Sequence, residues 1–495
     1  MSGDLLDRAR RVVATATTVY RGTPHERAVA AVAERLAAPL RVAIAGRVKS
    51  GKSTLLNALV GERLAPTDAG ECTRIVTWYA DGPTYRVLLH LGDGTTRPAR
   101  FRRENGTLDI SLDGTPVESV DRISVDWPSR SLRTATLIDT PGVGSMTVAT
   151  SRRSWELLAP EDESTPADAV VYLMKHLHAA DVEFLRAFHD REVARPNPVN
   201  SLGILSRADE IGVGRPDAMA SARRIARRLS TEPKIRQVLQ TVVPVAGLLA
   251  ETATTLTEHE YRLLHRVASR SPDDVDAMLL TADRFVVTDH GPELGEAERR
   301  GLIARLGLFG VRLSVSVLRD APTTTASQLA RTLTSHSGLD DLVDLLRTLF
   351  FERSDVLKAR SALLAVDALV RDHPVAGSDL AAAAVEEAIA AAHPFHELRV
   401  LSALRAGWVT GKESVLGDLE RVVGGGGAAP HLRLDLPRTA SPDELRRAAE
   451  DRLATWQRRA ASPLASRPLV VAAEVAVRSC EGILAELPPP AAGSP

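Results

Sequence analysis

The chain has 495 residues, 44% apolar and 25% charged, and its 62 Lys and Arg stand against 63 Asp and Glu for a formal net charge of −1. At about 100 to 200 residues per domain this predicts two or three well-cored domains, and so even a balance excludes a bulk polyanion binder. Two cysteines, Cys72 and Cys480, are too few for a disulfide framework or a cysteine zinc site, and no run approaches the ~20 consecutive apolar residues that cross a bilayer. The amphipathic, charged start lacks a signal-peptide core, so the chain is expected to stay in a reducing cytosol. Arginine dominates the basic residues; lysine stands at six positions, Lys49 and Lys52 among them.

In chain order, Leu5, Ala9, Val12, Ala16 and Val19 make the stripe of one amphipathic helix over 4–20. Gly22 stops it, and Thr23, Pro24 and Glu26 read as a capping box that opens a second helix to about Ala38. Short β-rich runs follow at 42–45, 75–80, 85–91, 123–127, 136–138, 169–174, 202–205 and 242–246, alternating with helical stretches. This pattern predicts an α/β fold with a mostly parallel sheet and helices on both faces. Asp81-Gly82 and Asp93-Gly94 read as hairpin turns near one edge. Residues 251–350 are mixed in pattern. Beyond Glu352 the chain reads as helical, with Val356, Ala359, Leu363, Val366 and Val370 at bundle spacing and Trp408, Trp456 and Cys480 on further stripes. Helices of about 30 residues would reach roughly 45 Å, so this half is expected to be a rod.

Directly after the run at 42–45 comes Gly46-Arg47-Val48-Lys49-Ser50-Gly51-Lys52-Ser53-Thr54, the G-x-x-x-x-G-K-[ST] pattern between a strand and a helix. Its glycines let backbone N–H groups curl around a β-phosphate, Lys52 neutralises β and γ oxygens, and the Ser53 hydroxyl ligates Mg²⁺. Leu137-Ile138-Asp139-Thr140-Pro141-Gly142 ends a second run in a carboxylate and a glycine. Asp139 is placed to hold Mg²⁺ and the Gly142 N–H to meet a γ-phosphate.

The base is read by Ser206-Arg207-Ala208-Asp209. A carboxylate at 209 accepts from the N1–H and 2-amino group of guanine, a pair of donors adenine lacks, while Arg207 covers the ring. Ala246-Gly247, at the end of the next run, offers a backbone N–H to guanine O6. Thr73, ahead of the run at 75–80, is preferred over Thr67 to complete the Mg²⁺ shell; Cys72 beside it is assigned no chemistry. His176 and His178 read as solvated or capping residues rather than metal ligands.

These four signatures in this order resemble the dynamin-like large GTPases, and within them the actinobacterial, mycobacterial isoniazid-inducible type. The resemblance rests on residues 49–61, on Cys72-Thr73-Arg74, and on a helical half that follows the head with a helix pair before it. It implies a GTPase domain over residues 40–350 with its motif core at 40–250, an N-terminal hairpin at 1–39 packing on the neck, a helical neck and trunk at 351–487, and a tail at 488–495. It further implies GTP and GDP with Mg²⁺ as ligands, hydrolysis of GTP to GDP and phosphate, and residence in the cytoplasm at the inner face of the plasma membrane. A transient nucleotide-dependent homodimer, or association with a paralogous dynamin-like protein, would couple to membrane remodelling or fission.

The sequence departs from that pattern in two places. Guanine recognition has Ser206-Arg207 where Asn/Thr-Lys is usual, and no glutamine follows Gly142, so slow hydrolysis is expected of an isolated monomer. Lys49 occupies a position from which some large GTPases project an internal arginine finger, and part of that charge is assigned to it. Residues 351–495 carry 17 basic and 19 acidic residues, so membrane contact has to be local. The glycine loop and flanks at 422–438 form one candidate tip, against an ordinary interhelical linker. A regulatory GTP switch whose helical arm docks a protein partner is the rival reading; a ribosome-associated GTPase is disfavoured by the neutral charge and the lack of a basic, aromatic-rich module.

Overall fold

Strand runs without polar interruption belong in the middle of a sheet covered on both faces. In the computed structural model, which describes residues 2–66, 75–104, 107–142, 167–175, 198–287, 294–405 and 407–488 with Val182 and Leu185, they form that middle. The strands are β1 (Leu40–Gly46), β2 (Val76–Ala80), β3 (Arg86–Leu91), β4 (Thr96–Pro98), β5 (Arg100–Glu104), β6 (Thr107–Ser111), β7 (Val120–Asp126), β8 (Ala135–Asp139), β9 (Ala169–Met174), β10 (Ser201–Ser206) and β11 (Val242–Val245). Nine of them pair in the order β11-β10-β9-β1-β8-β2-β7-β3-β4, and β5 and β6 form a separate antiparallel ribbon. β11, β10, β9, β1 and β8 are parallel to one another; β2 runs against β8 and β3 against β7. Every residue of β9 and β10 is buried.

Asp93-Gly94 makes the expected hairpin between β3 and β4, with Gly94 at φ 82°. Asp81-Gly82 does not: β7 lies between β2 and β3, so that turn crosses a strand instead of closing a hairpin. Sequence reasoning missed the ribbon β5–β6: β5 is Arg-rich, although β6 with Leu112 carries the apolar alternation Leu108, Ile110, Leu112.

The N-terminal helices are α1 (Ser2–Val19) and α2 (Glu26–Ala37), and α3 (Lys52–Val60) follows β1. The capping box expected at Thr23 is not formed. Thr23 donates its hydroxyl to the Tyr20 carbonyl and the Glu26 carboxylate accepts from the Gly22 N–H, so the helix starts at Glu26. After β10 come α4 (Ala218–Thr231) and the one-turn α5 (Pro233–Arg236), and after β11 the region of mixed pattern is helical throughout its described part. It comprises α6 (Gly247–Thr254), α7 (Glu258–Ala268), α8 (Pro272–Met278), α9 (Ala282–Val287), α10 (Glu296–Asp320), α11 (Ala326–Ser337) and α12 (Leu339–Leu349). An 18-residue stretch of α10 has a mean hydropathy of 1.6, enough by length and composition to cross a membrane, unlike the sequence expectation. Gly307 breaks it at φ 64°, ψ 174°, and Leu302, Leu306, Phe309, Val311, Val315 and Leu318 bury it in the core of the head.

A 3₁₀ turn at Phe351–Arg353 leads into α13 (Ser354–Asp372), α14 (Ser378–Ala391), α15 (His393–Arg405), α16 (Glu413–Val422), α17 (Pro430–Arg433), α18 (Pro442–Ala460) and α19 (Arg467–Glu486). The longest, α19, has 20 residues and so spans about 30 Å, shorter than the ~45 Å expected, because breaks at 373–377, 407–412 and 423–429 fold the arm back on itself. α1 packs on α13 and α14 through Leu5, Ala9, Val12 and Ala16. Trp456 and Cys480 are core residues, whereas Trp408 lies beyond the end of α15 and is 40% exposed.

The segment 422–438 is not an exposed tip. Val422, Val423 and Leu434 are buried, and a Cβ on Gly424 would stand 2.9 Å from the Arg353 guanidinium and one on Gly427 3.6 Å from Thr348. Gly424 and Gly427 serve close packing against the head-to-arm junction, which composition alone cannot tell from flexibility.

Candidate functional site

β1 delivers the phosphate motif to the carboxyl edge of the sheet, where ligands of open α/β sheets gather. Gly46 closes β1 at φ 148°, and a Cβ there would meet the Leu173 carbonyl of β9 at 2.4 Å and the Ser50 hydroxyl at 3.0 Å. Lys49 at φ 62° and Gly51 at φ 92° turn the loop, closed by the Ser50 N–H on the Arg47 carbonyl at 3.1 Å, before α3 begins at Lys52. The Lys52 ammonium, almost wholly buried, donates to the carbonyls of Gly46 and Arg47 at 3.3 Å each. Burial pulls its pKa down, and the Asp139 charge opposes that. Lys49 is exposed.

Asp139 is brought to this loop by register, since it pairs with Ile44 two residues before Gly46. Its Oδ2 accepts from the Ser53 hydroxyl at 2.8 Å, while Oδ1 is buried with no hydrogen-bond partner. Burial raises the pKa of this carboxyl, against Lys52 and Ser53. A half-satisfied buried carboxylate beside a hydroxyl and a lysine is a donor set for a hard divalent cation and its water, so the residues fit Mg²⁺. Thr140 donates to the Ile44 carbonyl at 3.0 Å and fixes the turn. That turn lays Gly142 on the phosphate loop so closely that a Cβ would stand 2.7 Å from the Val48 backbone.

A pocket opens next to this, between the ends of β10 and β11. Ser50, Gly51, Thr54, Ser206, Arg207, Asp209 and Gly247 line it, with Leu173, Ile204 and Leu248 as apolar walls that the sequence did not single out. Arg207, at φ 53°, donates to the Lys49 carbonyl at 3.0 Å and to Glu210 at 2.7 Å, bridging the two loops over the pocket mouth. Lys175 braces Glu210 from the other side at 2.9 Å. The Asp209 carboxyl is 6% exposed, and burial pushes its pKa up to about 6. The hydroxyls of Ser50 and Ser206 are buried there without partners. Ala246 is not the donor for a base: its N–H is bonded to the Ser337 carbonyl at 2.9 Å. The first N–H groups of α6, starting at Gly247, take that position.

Thus Gly46, Ser50, Gly51, Lys52, Ser53, Thr54, Asp139, Gly142, Ser206, Arg207, Asp209 and Gly247 converge on one edge of the sheet. Thr67, Cys72, Thr73, residues 143–146, His176 and His178 lie outside the described residues. Sequence reasoning missed the support given by α10, whose only signal was three glycines, Gly301, Gly307 and Gly310, inside a helical pattern.

A model of the dynamin family matches residues 42–207. The isoniazid-induced protein IniC of Mycobacterium tuberculosis is 39% identical over 487 residues, which is 97% of this chain and 98% of that one. The isoniazid-induced protein IniA of the same organism is 37% identical over 112 residues, 22% of this chain and 18% of its own. A bacterial dynamin-like protein of Nostoc punctiforme is 31% identical over 115 residues, 21% of this chain and 16% of its own.

Proposed function

The chain belongs to the dynamin family, with the isoniazid-induced proteins, and from that premise we propose that it binds and hydrolyses GTP with Mg²⁺ and couples this cycle to a membrane surface. The observation that carries the reading is the convergence of a buried lysine, a Ser53–Asp139 pair with one free carboxylate oxygen, and a buried base-facing acid at the ends of β1, β8 and β10. Mg²⁺, when bound, would neutralise charge between the β- and γ-phosphates. Ser53 and Asp139 would hold it, with Thr73 as a further ligand. Lys52 would exchange its two carbonyl partners for phosphate oxygens, and Arg207 would shield the base from water. Gly142 lies where loss of a γ-phosphate would be felt by the phosphate loop, and Lys49, exposed on that loop, is available to a charge developing across a dimer.

The arm meets lipid, in this reading, at the turn between α18 and α19. Leu464 is 96% exposed there, Arg458 and Arg467 flank it, and no acidic residue occurs from 452 to 473. The protein is expected in the cytoplasm, peripheral to the inner face of the plasma membrane, as a nucleotide-dependent dimer or with a paralogous dynamin-like protein. Calorimetry against GTP and ATP, then GTP turnover against protein concentration with and without anionic liposomes, tests this. Turnover that rises with concentration and lipid supports it. GTP binding with turnover indifferent to lipid favours a switch whose arm docks a protein, and equal uptake of ATP removes the base assignment.

A further inference from the structure

The residue that would read the base is held by a helix outside the motif core. One side of the Asp209 carboxylate is closed by Gly307 of α10, where a Cβ would stand 3.3 Å from Oδ2. Gly307 lies at φ 64°, ψ 174°, a conformation open in practice to glycine alone, and it splits a 25-residue helix in two. Just past the break, the Phe309 nitrogen lies 3.3 Å from the place a Cβ would take on Gly214, which is itself at φ 67° and ends the base-reading loop 207–214. One turn further, Arg312 donates to the Gly214 carbonyl at 2.6 Å while its other nitrogens hold the carbonyls of Leu279 at 3.0 Å and Leu280 at 3.1 Å. Two glycines without side chains and one arginine fork thus fasten the loop to the helix break.

We propose that the break in α10 determines base specificity: Gly307 and Arg312 are positioning residues that set the Asp209 carboxylate where it accepts from both the N1–H and the 2-amino group of guanine. This rests on the GTP reading given above. A carboxylate that accepts two parallel bonds has little tolerance in position, because a displacement of a few tenths of an ångström lengthens one bond as it keeps the other. A methyl group at 307 both strains the break and presses on Oδ2. Replacing the fork at 312 by an ammonium keeps the charge and removes the simultaneous grip on Gly214 and Leu279.

The test uses the full chain with Mg²⁺ and compares binding of GTP with inosine triphosphate, which keeps the N1–H and O6 but lacks the 2-amino group. The wild type is expected to favour GTP by about ten- to a hundredfold, the worth of a hydrogen bond to a charged acceptor. Gly307→Ala and Arg312→Lys should each weaken GTP by about tenfold and change inosine triphosphate by less than about threefold, so that the ratio collapses. Equal losses for both nucleotides would show general damage to the site and overturn the proposal, as would an unchanged ratio. Should Gly307→Ala fail to fold, the ratio in Arg312→Lys decides alone. A wild type that does not prefer GTP over ATP defeats the GTP reading itself, whereas a selective wild type with unaffected variants defeats only this inference.

Discussion

Asp209 concentrates the residue-scale chemistry. As a carboxylate it offers acceptors only, which suits the two donors on the guanine edge; an amide offers one acceptor and one donor, which suits the C2 carbonyl and N1–H of xanthine. Asp209→Asn is therefore expected to weaken GTP by at least about tenfold and to improve xanthosine triphosphate, read by calorimetry on both. Its pH dependence has two opposite signs. Burial, with the Glu210 charge, raises the carboxyl to about 6, against its own backbone N–H, Arg207 and Lys175. Binding of guanine needs the ionised form, so GTP affinity should rise with pH through about 6, be flat above it, and fall by up to about tenfold per unit below. In the ligand-free protein the raised value means that the folded state takes up the proton more readily than the unfolded chain. The stability this group contributes is complete below about pH 4 and lost as pH rises through about 6. Affinity for GTP falling from pH 7 to 5, while the melting temperature of Asp209→Asn gains relative to the wild type between pH 5 and 7, is the expected pair of results. The letters of this site were legible because each is fixed by neighbours in sequence. Gly307 and Arg312 were not, since they act from about a hundred residues away, through packing that no local pattern records.

At the scale of elements, strands covered on both faces wrote themselves as unbroken apolar runs, and β1, β8, β9, β10 and β11 could be read from them directly. Helices of the head could not, because α6 and α10 are buried on several sides and carry charges in the interior, Glu251 and Arg299 among them, which blurs any stripe. The glycines of 423–429 read as a flexible linker for a related reason: composition reports freedom of the chain and is silent on the neighbour that uses it. The N-terminal hairpin shows the same lack of signal at its anchor. Arg35 of α2 donates to Asp168 at 2.7 and 2.9 Å and to the Ala167 carbonyl at 2.9 Å, and Asp168 also accepts from the Arg41 N–H at 2.9 Å. Both side chains are buried at the end of the sheet away from the nucleotide edge. Removing one partner takes the buried ion pair and its two hydrogen bonds from the other, so Arg35→Ala and Asp168→Ala should each cost about 3 to 5 kcal/mol in urea unfolding. Asp168→Ala should cost more, because a backbone N–H loses its acceptor as well. GTP affinity of the folded variants should stay that of the wild type, which distinguishes an anchor of the hairpin from a part of the site.

In the whole molecule, head and arm meet at the turn Phe351–Arg353, and charged groups bridge the junction. Arg236 of the head faces Glu420 of α16 at 3.7 Å, and Glu420 also takes Arg405 of α15 at 3.2 Å. Arg353 is buried with one nitrogen unpartnered, and burial lowers its pKa to about 10. A junction that holds an under-satisfied arginine is one in which a second arrangement of head and arm has little to lose, which is the property a lever requires. What the lever would move is the turn carrying Leu464. A buried leucine is worth about 1.5 to 3 kcal/mol, and each basic residue near an anionic surface about 1 kcal/mol. Leu464 with Arg458 and Arg467 thus gives one copy an affinity near the millimolar range, too weak to hold alone. On the proposed function, stable attachment would need several copies acting together, which would make lipid binding depend on nucleotide-driven assembly. In flotation with anionic liposomes, the protein with a non-hydrolysable GTP analogue should float and the protein with GDP should largely remain at the bottom. Leu464→Asp should abolish flotation while leaving GTP affinity intact, because the Leu464 side chain is exposed and does not line the nucleotide pocket. Replacement of 422–438 by a neutral linker should instead lower the melting temperature, since that segment packs against the junction. Flotation of Leu464→Asp at the wild-type level would remove this turn as the lipid contact.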